Sequence, residues 1–456
     1  MTKIVTDYTD ITEKNISEWI SNFLSNHRGR LVKLGEYYDG KNAIIKKKVV
    51  KNRPNYSINV NLAKYITDVH TGYFAGQAIA YDYADDEKGK KLKDVLEPIF
   101  TNNYEDEENF KLASDASCYG AAYEIVMVTD DSKKKMSERL KFAKLDSETT
   151  FMVVDNTPLQ TPVCAIYMYE KQVSQLTKTT EWWGYVYSKD EIKQFKWDGS
   201  SAKITETVNH LFKDIPVIEF SNGTDQKGDY EPITDLLDAI SLATSNNTDD
   251  LQSIANAILA MYGASGTDEA TINAINQSKV AKLPVGSKME YVIKNLNVDG
   301  IKYHIDTILK LIYQISQTPD LSSDDFGGNQ SGVAMEFKLW GLEQARVQKV
   351  RNFQKAIIKR INLILGMMNL SNGTDYDLMQ SVNIVFYKNL PKSENDLYDM
   401  VSKLSGIVSD KTLLSQLPFI KNVDDEMKQK QEEESEKAKQ FMENYDGLGE
   451  TNEPKE

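Results

Sequence analysis

The sequence predicts an α+β fold, with helices and strands in separate stretches of the chain. Apolar residues recur at helical spacing in the first 119 residues. Between residues 122 and 197 the period changes to two, which is typical of half-buried strands. After residue 232 helical spacing returns, on both sides of a long polar loop at 318–332. Helices that precede a run of strands are the arrangement expected of this fold class.

Three helices are predicted before the strands. The first covers residues 12–38, with Thr12 suited to its N-cap and Trp19 and Phe23 on its apolar face. The second covers residues 59–74. The third covers residues 105–119 and ends at Gly120, a residue that commonly follows the last helical turn.

Short segments rich in aromatic and β-branched residues follow, separated by turn residues. They are expected to form a meander that closes near residues 215–220. The predicted strands are 122–128, 140–145, 150–154, 163–169, 182–187 and 192–197.

The next two helices surround a small insert. Pro232 is suited to the first turn of a long helix that runs to about Tyr262, with a polar interruption at 246–250. Residues 263–299 are rich in turn residues and form the insert. The second helix, 300–317, has isoleucines along one face and stops before Pro319.

Beyond the polar loop, helical spacing runs from Val333 to about Leu370 without a proline, which predicts one rod about 55 Å long. A returning strand is predicted at 382–387, and two short helices between 393 and 419. The segment 421–456 has twice as many acidic as basic residues, and we expect a disordered tail from residue 426.

Composition limits the classes of function. The chain has 456 residues and a net charge of −14, which argues against a nucleic-acid grip by the whole protein. Residues 1–15 are polar and lack the apolar core of a secretory signal, and the stretch 254–264 is too short to span a membrane. With only Cys118 and Cys164, no disulfide framework is expected, and the setting is a reducing cytoplasm.

No motif for catalysis stands out. The sequence has no P-loop, HExxH, CxxC or GxSxG element, and its four histidines are scattered. Asp325-Phe-Gly327 resembles the magnesium motif of kinases but has none of its companion motifs. The acidic stretch 320–325 lacks the alternating oxygen ligands of a calcium loop. We therefore expect no enzyme activity, no cofactor and no metal site.

Several segments, in order along nearly the whole chain, resemble the portal proteins of tailed bacteriophages, specifically the long-tailed group of Gram-positive hosts. The resemblance rests on Tyr37-Tyr-Asp-Gly40, Asn61-Leu-Ala-Lys-Tyr-Ile66, Gly72-Tyr-Phe-Ala-Gly76, Gly120-Ala-Ala-Tyr-Glu124, Ile215-Pro-Val-Ile-Glu-Phe220, the segments 230–239 and 331–340, and Gly406-Ile-Val-Ser-Asp-Lys-Thr412 with Leu417-Pro418.

The resemblance implies a portal fold and a division of the chain. The expected parts are an α+β wing (1–231), a stem of two helices (232–262 and 300–317), a clip (263–299), a tunnel loop (318–332), a long wing-spanning helix with its returning strand (333–392), a crown (393–425) and an acidic tail (426–456). It also implies a dodecameric ring at one capsid vertex, assembled in the host cytoplasm. The implied partners are double-stranded DNA, the terminase large subunit, a head–tail adaptor, and the major capsid and scaffolding proteins, with no membrane.

Two sets of candidate site residues follow. Segment 318–332 has no Lys or Arg, so it would not grip DNA phosphates; its candidates are Asp320, Ser322, Ser323, Asp324, Asp325, Phe326, Gly327, Gly328 and Asn329. The long helix carries seven basic residues, one of which is Arg360, and two acidic residues. Those cations are expected to meet acidic groups of a neighbouring subunit, or to form a solvated helix face. The candidates are Lys338, Arg346, Lys349, Arg351, Lys355 and Lys359.

Two other classes of function stay open at this stage. Another virion protein, such as a capsid protein or neck adaptor, also fits an α+β wing, although an adaptor is usually shorter and needs no stem. A packaging nuclease or ATPase would need a cluster of carboxylates for metal binding or a P-loop.

Overall fold

The computed structural model describes residues 3–42, 54–174, 179–255, 258–262, 273, 285–286, 288–292, 296–321, 332–376, 382–389, 401–414 and 423–446. Contacts divide the chain into two units, Met1–Asn389 and Leu390–Glu456, and each is described by itself. The described residues are a mixture of helices and sheets, so the predicted α+β class is confirmed.

The helices at the start of the chain follow the sequence prediction closely. Thr12 caps the first, its hydroxyl accepting a hydrogen bond from the amide of Asn15. A π-helical turn, Leu24–Arg28, separates α1 from α2 within the predicted 12–38 helix. Helix α4 was not predicted, because lysines lie between its apolar residues. The helices are α1 Glu13–Phe23, α2 Gly29–Tyr38, α3 Leu62–Ala75, α4 Glu87–Asn102, α5 Glu105–Tyr119 and α6 Met136–Arg139.

The strands of the predicted meander divide between two sheets instead of forming one. One has the order β1-β5-β6-β7-β8-β9 and the other β10-β3-β4, and β2 belongs to a separate two-stranded sheet. The strand predicted at 215–220 is β10, which pairs with β3, so Val217 lies opposite Ile125. The strands are β1 Ile4–Thr6, β2 Ala80–Tyr83, β3 Ala121–Val128, β4 Leu140–Leu145, β5 Thr150–Asp155, β6 Pro162–Ser174, β7 Thr179–Tyr187, β8 Glu191–Trp197, β9 Ala202–Asn209 and β10 Val217–Ser221.

The predicted helix 232–262 is shorter than expected. A 3-10 turn that includes Pro232 leads into α7, Thr234–Ala255. The chain then forms a strand, β11 Ile258–Tyr262, which pairs antiparallel with β12 Lys288–Val292. A short apolar run fits a strand as well as a helix, and here a pairing partner decides for the strand. Helix α8, Val298–Ile315, then packs against α7.

The long helix predicted at 333–370 is interrupted once. Helix α9 covers Gly332–Lys338 and α10 covers Trp340–Asn372, with Leu339 buried at the break. The prediction of one unbroken rod is therefore wrong. Gly373 ends α10 in the left-handed region, at a φ of 64°. The returning strand, β13 Val382–Val385, pairs with β2.

Helix α3 connects two hydrophobic cores of the first unit. On one side, Phe74 packs edge-to-face on Phe353 of α10, with ring centroids 4.8 Å apart. On the other side, Ile66 shares a core with Ile240 of α7 and Ile308 of α8. Helix α3 therefore places the long helix and the α7–α8 pair in one packed body.

The second unit contains α11, Asp410–Leu414, and α12, Val423–Asp446. Residues 426–446 are helical, so the prediction of a disordered tail is wrong for this stretch. The exposed residues of α12 include repeated Glu and Lys, which are good helix formers, and these had suggested a solvated coil. The remaining tail, 447–456, lies outside the described residues.

Candidate functional site

The predicted tunnel loop begins where α8 ends. Residues 318–321 are described, and residues 322–331, which include Ser322, Ser323, Asp324, Asp325, Phe326, Gly327, Gly328 and Asn329, lie outside the described residues. Asp320 is half-buried at the start of this segment, and its carboxylate acts electrostatically on the phenols of Tyr65 and Tyr313. Burial, with the Asp320 carboxylate adding to it, raises the pKa of Tyr313 to about 12.

The predicted interface cations on the long helix divide into paired and exposed groups. Arg346 forms an ion pair with Glu343, at 2.9 Å between Nη2 and Oε1. Lys359 Nζ lies 3.9 Å from Asp214 and donates to the carbonyl oxygen of Val217. Lys338 is half-buried in α9. These side chains are engaged or partly covered within the subunit.

Lys349 and Arg360 do not belong to a surface stripe at all. Lys349 is only 3% exposed, and its ammonium group donates to Asp229 of the same chain. Arg360 is fully buried. Each cation lies on the apolar face of α10, because its spacing from Phe353 is that of one helix face. Lys349 is therefore removed from the predicted set of interface residues.

Arg351 and Lys355 are the exposed members of the set. Within the described ranges neither forms an ion pair. They continue an exposed row of α9 and α10 that begins with Phe337 and Trp340, which are 76% and 61% exposed. The row runs through Gln344 and Gln348 and has no acidic residue. It combines aromatic side chains and an arginine, which are enriched in protein–protein interfaces, with one exposed lysine.

Arg360 organises a buried ionic network that sequence reasoning missed. Its Nε and Nη2 donate to the two oxygens of Glu124, at 2.7 and 2.8 Å. Its Nη1 donates to Glu105 at 2.9 Å and to Asn109 at 2.8 Å. The guanidinium also lies over the ring of Phe142, 4.8 Å from the centroid. The network joins α10 to α5 and β3, and a cation among the isoleucines of α10 was its only sequence signal.

A second buried polar cluster lies at the end of α8. His70 of α3 has its Nε2 3.1 Å from the carbonyl oxygen of Ser316 and 3.1 Å from Thr318 Oγ1. Its Nδ1 lies 3.6 Å from Asp229. Burial lowers the pKa of His70 to about 4, so the ring is neutral at pH 7. The sequence does not indicate that His70, Asp229 and Lys349 meet, because the three residues are far apart along the chain.

The described residues hold no group of three or more His, Cys, Asp or Glu side chains arranged for a metal ion. Both cysteines are buried and free. Among the described helices, none has the length and apolar character needed to cross a membrane.

Comparison with known proteins places these features in a family. Residues 17–440 match the family model described as phage portal protein, SPP1 Gp6-like. The chain belongs to this portal protein family. The portal protein of Clostridium phage phiCD119 is 24% identical over 451 residues, which are 93% of this chain and 96% of that protein.

Family membership confirms the resemblance that the sequence segments had suggested. Portal proteins are structural components of the phage virion and not enzymes.

Proposed function

We propose that this portal protein forms a dodecameric ring at one capsid vertex, through which double-stranded DNA enters during packaging and leaves during ejection. The observation that carries the proposal is the pair α7 and α8. These helices pack against each other, and the strands β11 and β12 between them pair antiparallel. Helix α7 leads to the β11–β12 sheet and α8 leads back from it, which is the arrangement expected of a two-helix stem that ends in a clip.

The other parts of the chain take their proposed roles from this arrangement. The sheets and helices before residue 231 form the wing. The clip, now beginning at β11, contacts the terminase large subunit during packaging and the head–tail adaptor afterwards. Wing and crown (393–425) face the major capsid and scaffolding proteins.

The proposed tunnel loop, 318–332, contains Asp320, Asp324 and Asp325 but no cation. Each Lys or Arg that contacts a phosphate strengthens DNA binding, so a basic constriction would slow a moving duplex. Carboxylates repel phosphates at close range. The loop is thus suited to surround DNA without holding it.

Charge reversal in the loop tests this function. Asp324→Lys/Asp325→Lys is expected to lower the amount of DNA packaged per capsid, whereas Asp324→Asn/Asp325→Asn has a smaller effect because it adds no cation. Asp130→Lys/Asp190→Lys makes the same change in net charge at two exposed positions of the wing and serves as the control. Normal packaging by the loop Lys variant would contradict the electrostatic account.

A closed ring needs a heterologous interface, in which one face of a subunit meets a different face of the next. We propose that the exposed row of α9 and α10 is one of these faces. Arg351 and Lys355 are exposed cations in a chain of net charge −14, so the neighbouring copy offers many exposed carboxylates to them. Phe337 and Trp340 supply apolar area in the same row.

A further inference from the structure

The chain makes a tight, buried turn as it leaves α8. The amide of Ser316 donates to the carbonyl oxygen of Ile312, and the amide of Thr318 donates to that of Tyr313. Between them Gln317 takes a φ of 56°, in the left-handed region. Ser316 and Thr318 are only 4% and 3% exposed. Segment 318–332 therefore begins inside the protein and not on its surface.

His70 holds this turn from α3. A carbonyl oxygen can only accept, so the contact with Ser316 requires the proton of the neutral ring to be on Nε2. The same nitrogen is within hydrogen-bond distance of Thr318 Oγ1. The hydroxyl groups of Ser316 and Thr318 bond to each other at 3.0 Å. One imidazole thus contacts the residues on both sides of the left-handed turn.

Behind the imidazole, Asp229 and Lys349 complete the cluster. Asp229 Oδ2 accepts from Lys349 Nζ and from Ser117 Oγ, and its Oδ1 accepts from Asn222 at 2.9 Å. Burial works against the charged form, but the pKa of Asp229 is lowered to about 2 by His70, which is protonated in that acid range, by the Lys349 ammonium and by the hydrogen bonds from Lys349 and Ser117. Asp229 is therefore a charged, fully partnered anchor between the segment before α7 and helix α10.

We propose that His70, Asp229 and Lys349 are positioning residues that fix the place where segment 318–332 leaves α8. They bring α3, the segment before α7 and α10 together at one buried point: Lys349 pairs with Asp229, Asp229 lies 3.6 Å from His70 Nδ1, and His70 Nε2 contacts Ser316 and Thr318. The proposal relies on the proposed function only in treating 318–332 as the tunnel loop. In a ring, a fixed starting point would place the loops of all subunits on one circle.

Hydrogen exchange of the purified protein, read by mass spectrometry on peptides that cover 310–321, tests the positioning role. His70→Ala is expected to speed exchange of the Thr318 amide about tenfold, because the turn loses the imidazole that contacts Ser316 and Thr318 on either side of Gln317. Thr318→Val is expected to act in the same direction. His70→Gln, whose amide places a donor close to the position of Nε2, is expected to restore much of the protection.

His210→Ala is the matched control. His210 also has its Nε2 at hydrogen-bond distance from a backbone carbonyl, 2.9 Å from Ser188, but it lies just after β9 and far from α8 in the sequence. This variant is expected to leave exchange at Thr318 unchanged. Unaltered exchange at Thr318 in folded His70→Ala, or in Thr318→Val if the first variant does not fold, would overturn the proposal. An equal increase in His210→Ala would also overturn it, since the effect would then be general destabilisation.

The outcome is separate from that of the proposed function. Exchange at Thr318 is measured on the protein without DNA and does not depend on packaging. If His70→Ala changes exchange while the wild-type protein forms no rings, the positioning role is supported and the proposed channel function is contradicted. If rings form and exchange is unchanged, the positioning role alone is wrong.

Discussion

Arg360 and Glu124 form a fully buried ion pair in which two guanidinium nitrogens meet two carboxylate oxygens at 2.7 and 2.8 Å. The pair connects the long helix α10 to the central strand of the β10-β3-β4 sheet. Fork-shaped pairing of this kind fixes geometry as well as charge. Because both groups are out of water, each depends on the other, and the loss of one leaves a buried charge.

Replacing Arg360 with Met should therefore lower the free energy of unfolding by about 3–5 kcal/mol. Arg351→Met removes a cation from the exposed face of the same helix and should change it by less than about 0.5 kcal/mol. Urea unfolding of both variants provides the measurement. Equal, small effects would show that the Arg360 network contributes little to stability.

The pKa of His70 predicts how stability depends on pH. Folding lowers this pKa from 6.5 to about 4, so below pH 6.5 the unfolded chain binds a proton that the folded chain excludes. The contribution is fully present above pH 6.5 and falls as the pH drops toward 4, by about 2 kcal/mol at pH 5. Asp229 titrates lower, with a pKa of about 2, and adds no change in this range.

Unfolding by urea at pH 7 and pH 5 checks this prediction. His70→Gln should lose that part of the pH dependence, whereas His304→Gln, which changes an exposed histidine of α8, should keep it. The account of His70 as a buried neutral ring would be refuted by an unchanged pH dependence in His70→Gln.

Gly120 ends α5 at a φ of 89°, and a Cβ placed on it would lie 2.0 Å from the carbonyl oxygen of Gln226. Gly199 has a similar φ of 101°, but a Cβ there meets no atom within 4 Å. Gly199→Ala should therefore cost about 1 kcal/mol, from backbone strain alone. Gly120→Ala should cost clearly more, since backbone must also move. Comparable melting temperatures for the two variants would contradict the close approach.

The sequence predicted those elements whose signals are local. Thr12 and Gly120 lie at helix ends, and the prediction of a helix at 105–119 is confirmed because a glycine at its end is a local feature. Helix α4 was missed because lysines surround its buried Leu92, Leu96 and Ile99. Residues 258–262 were wrongly assigned to a helix because their strand partner, 288–292, is distant in sequence.

The same reason limits prediction of the site. Charge counting identified the cations of the long helix but could not separate buried Lys349 and Arg360 from exposed Arg351 and Lys355. Lys349 pairs with Asp229, and Arg360 pairs with Glu105 and Glu124. All three acidic partners are far away from the long helix in the sequence. A better signal was available in the spacing, since Lys349 and Arg360 lie on the helix face of Phe353.

The proposed subunit interface predicts a selective effect of charge on assembly. Arg351→Glu/Lys355→Glu should reduce the fraction of protein in rings at least several-fold, because like charges would oppose the acidic neighbour. The free energy of unfolding should change little, since both residues are exposed. Lys88→Glu/Lys90→Glu makes the same change in net charge on exposed positions of α4. Mass photometry measures the fractions, and equal loss of rings in both variants would point to net charge rather than this face.

Electron microscopy of the purified wild-type protein in negative stain tests the central claim most directly. The account predicts closed rings with a central hole wide enough for a DNA duplex, built from identical subunits. A preparation that contains only monomers or compact dimers, under conditions in which the protein is folded, would contradict it.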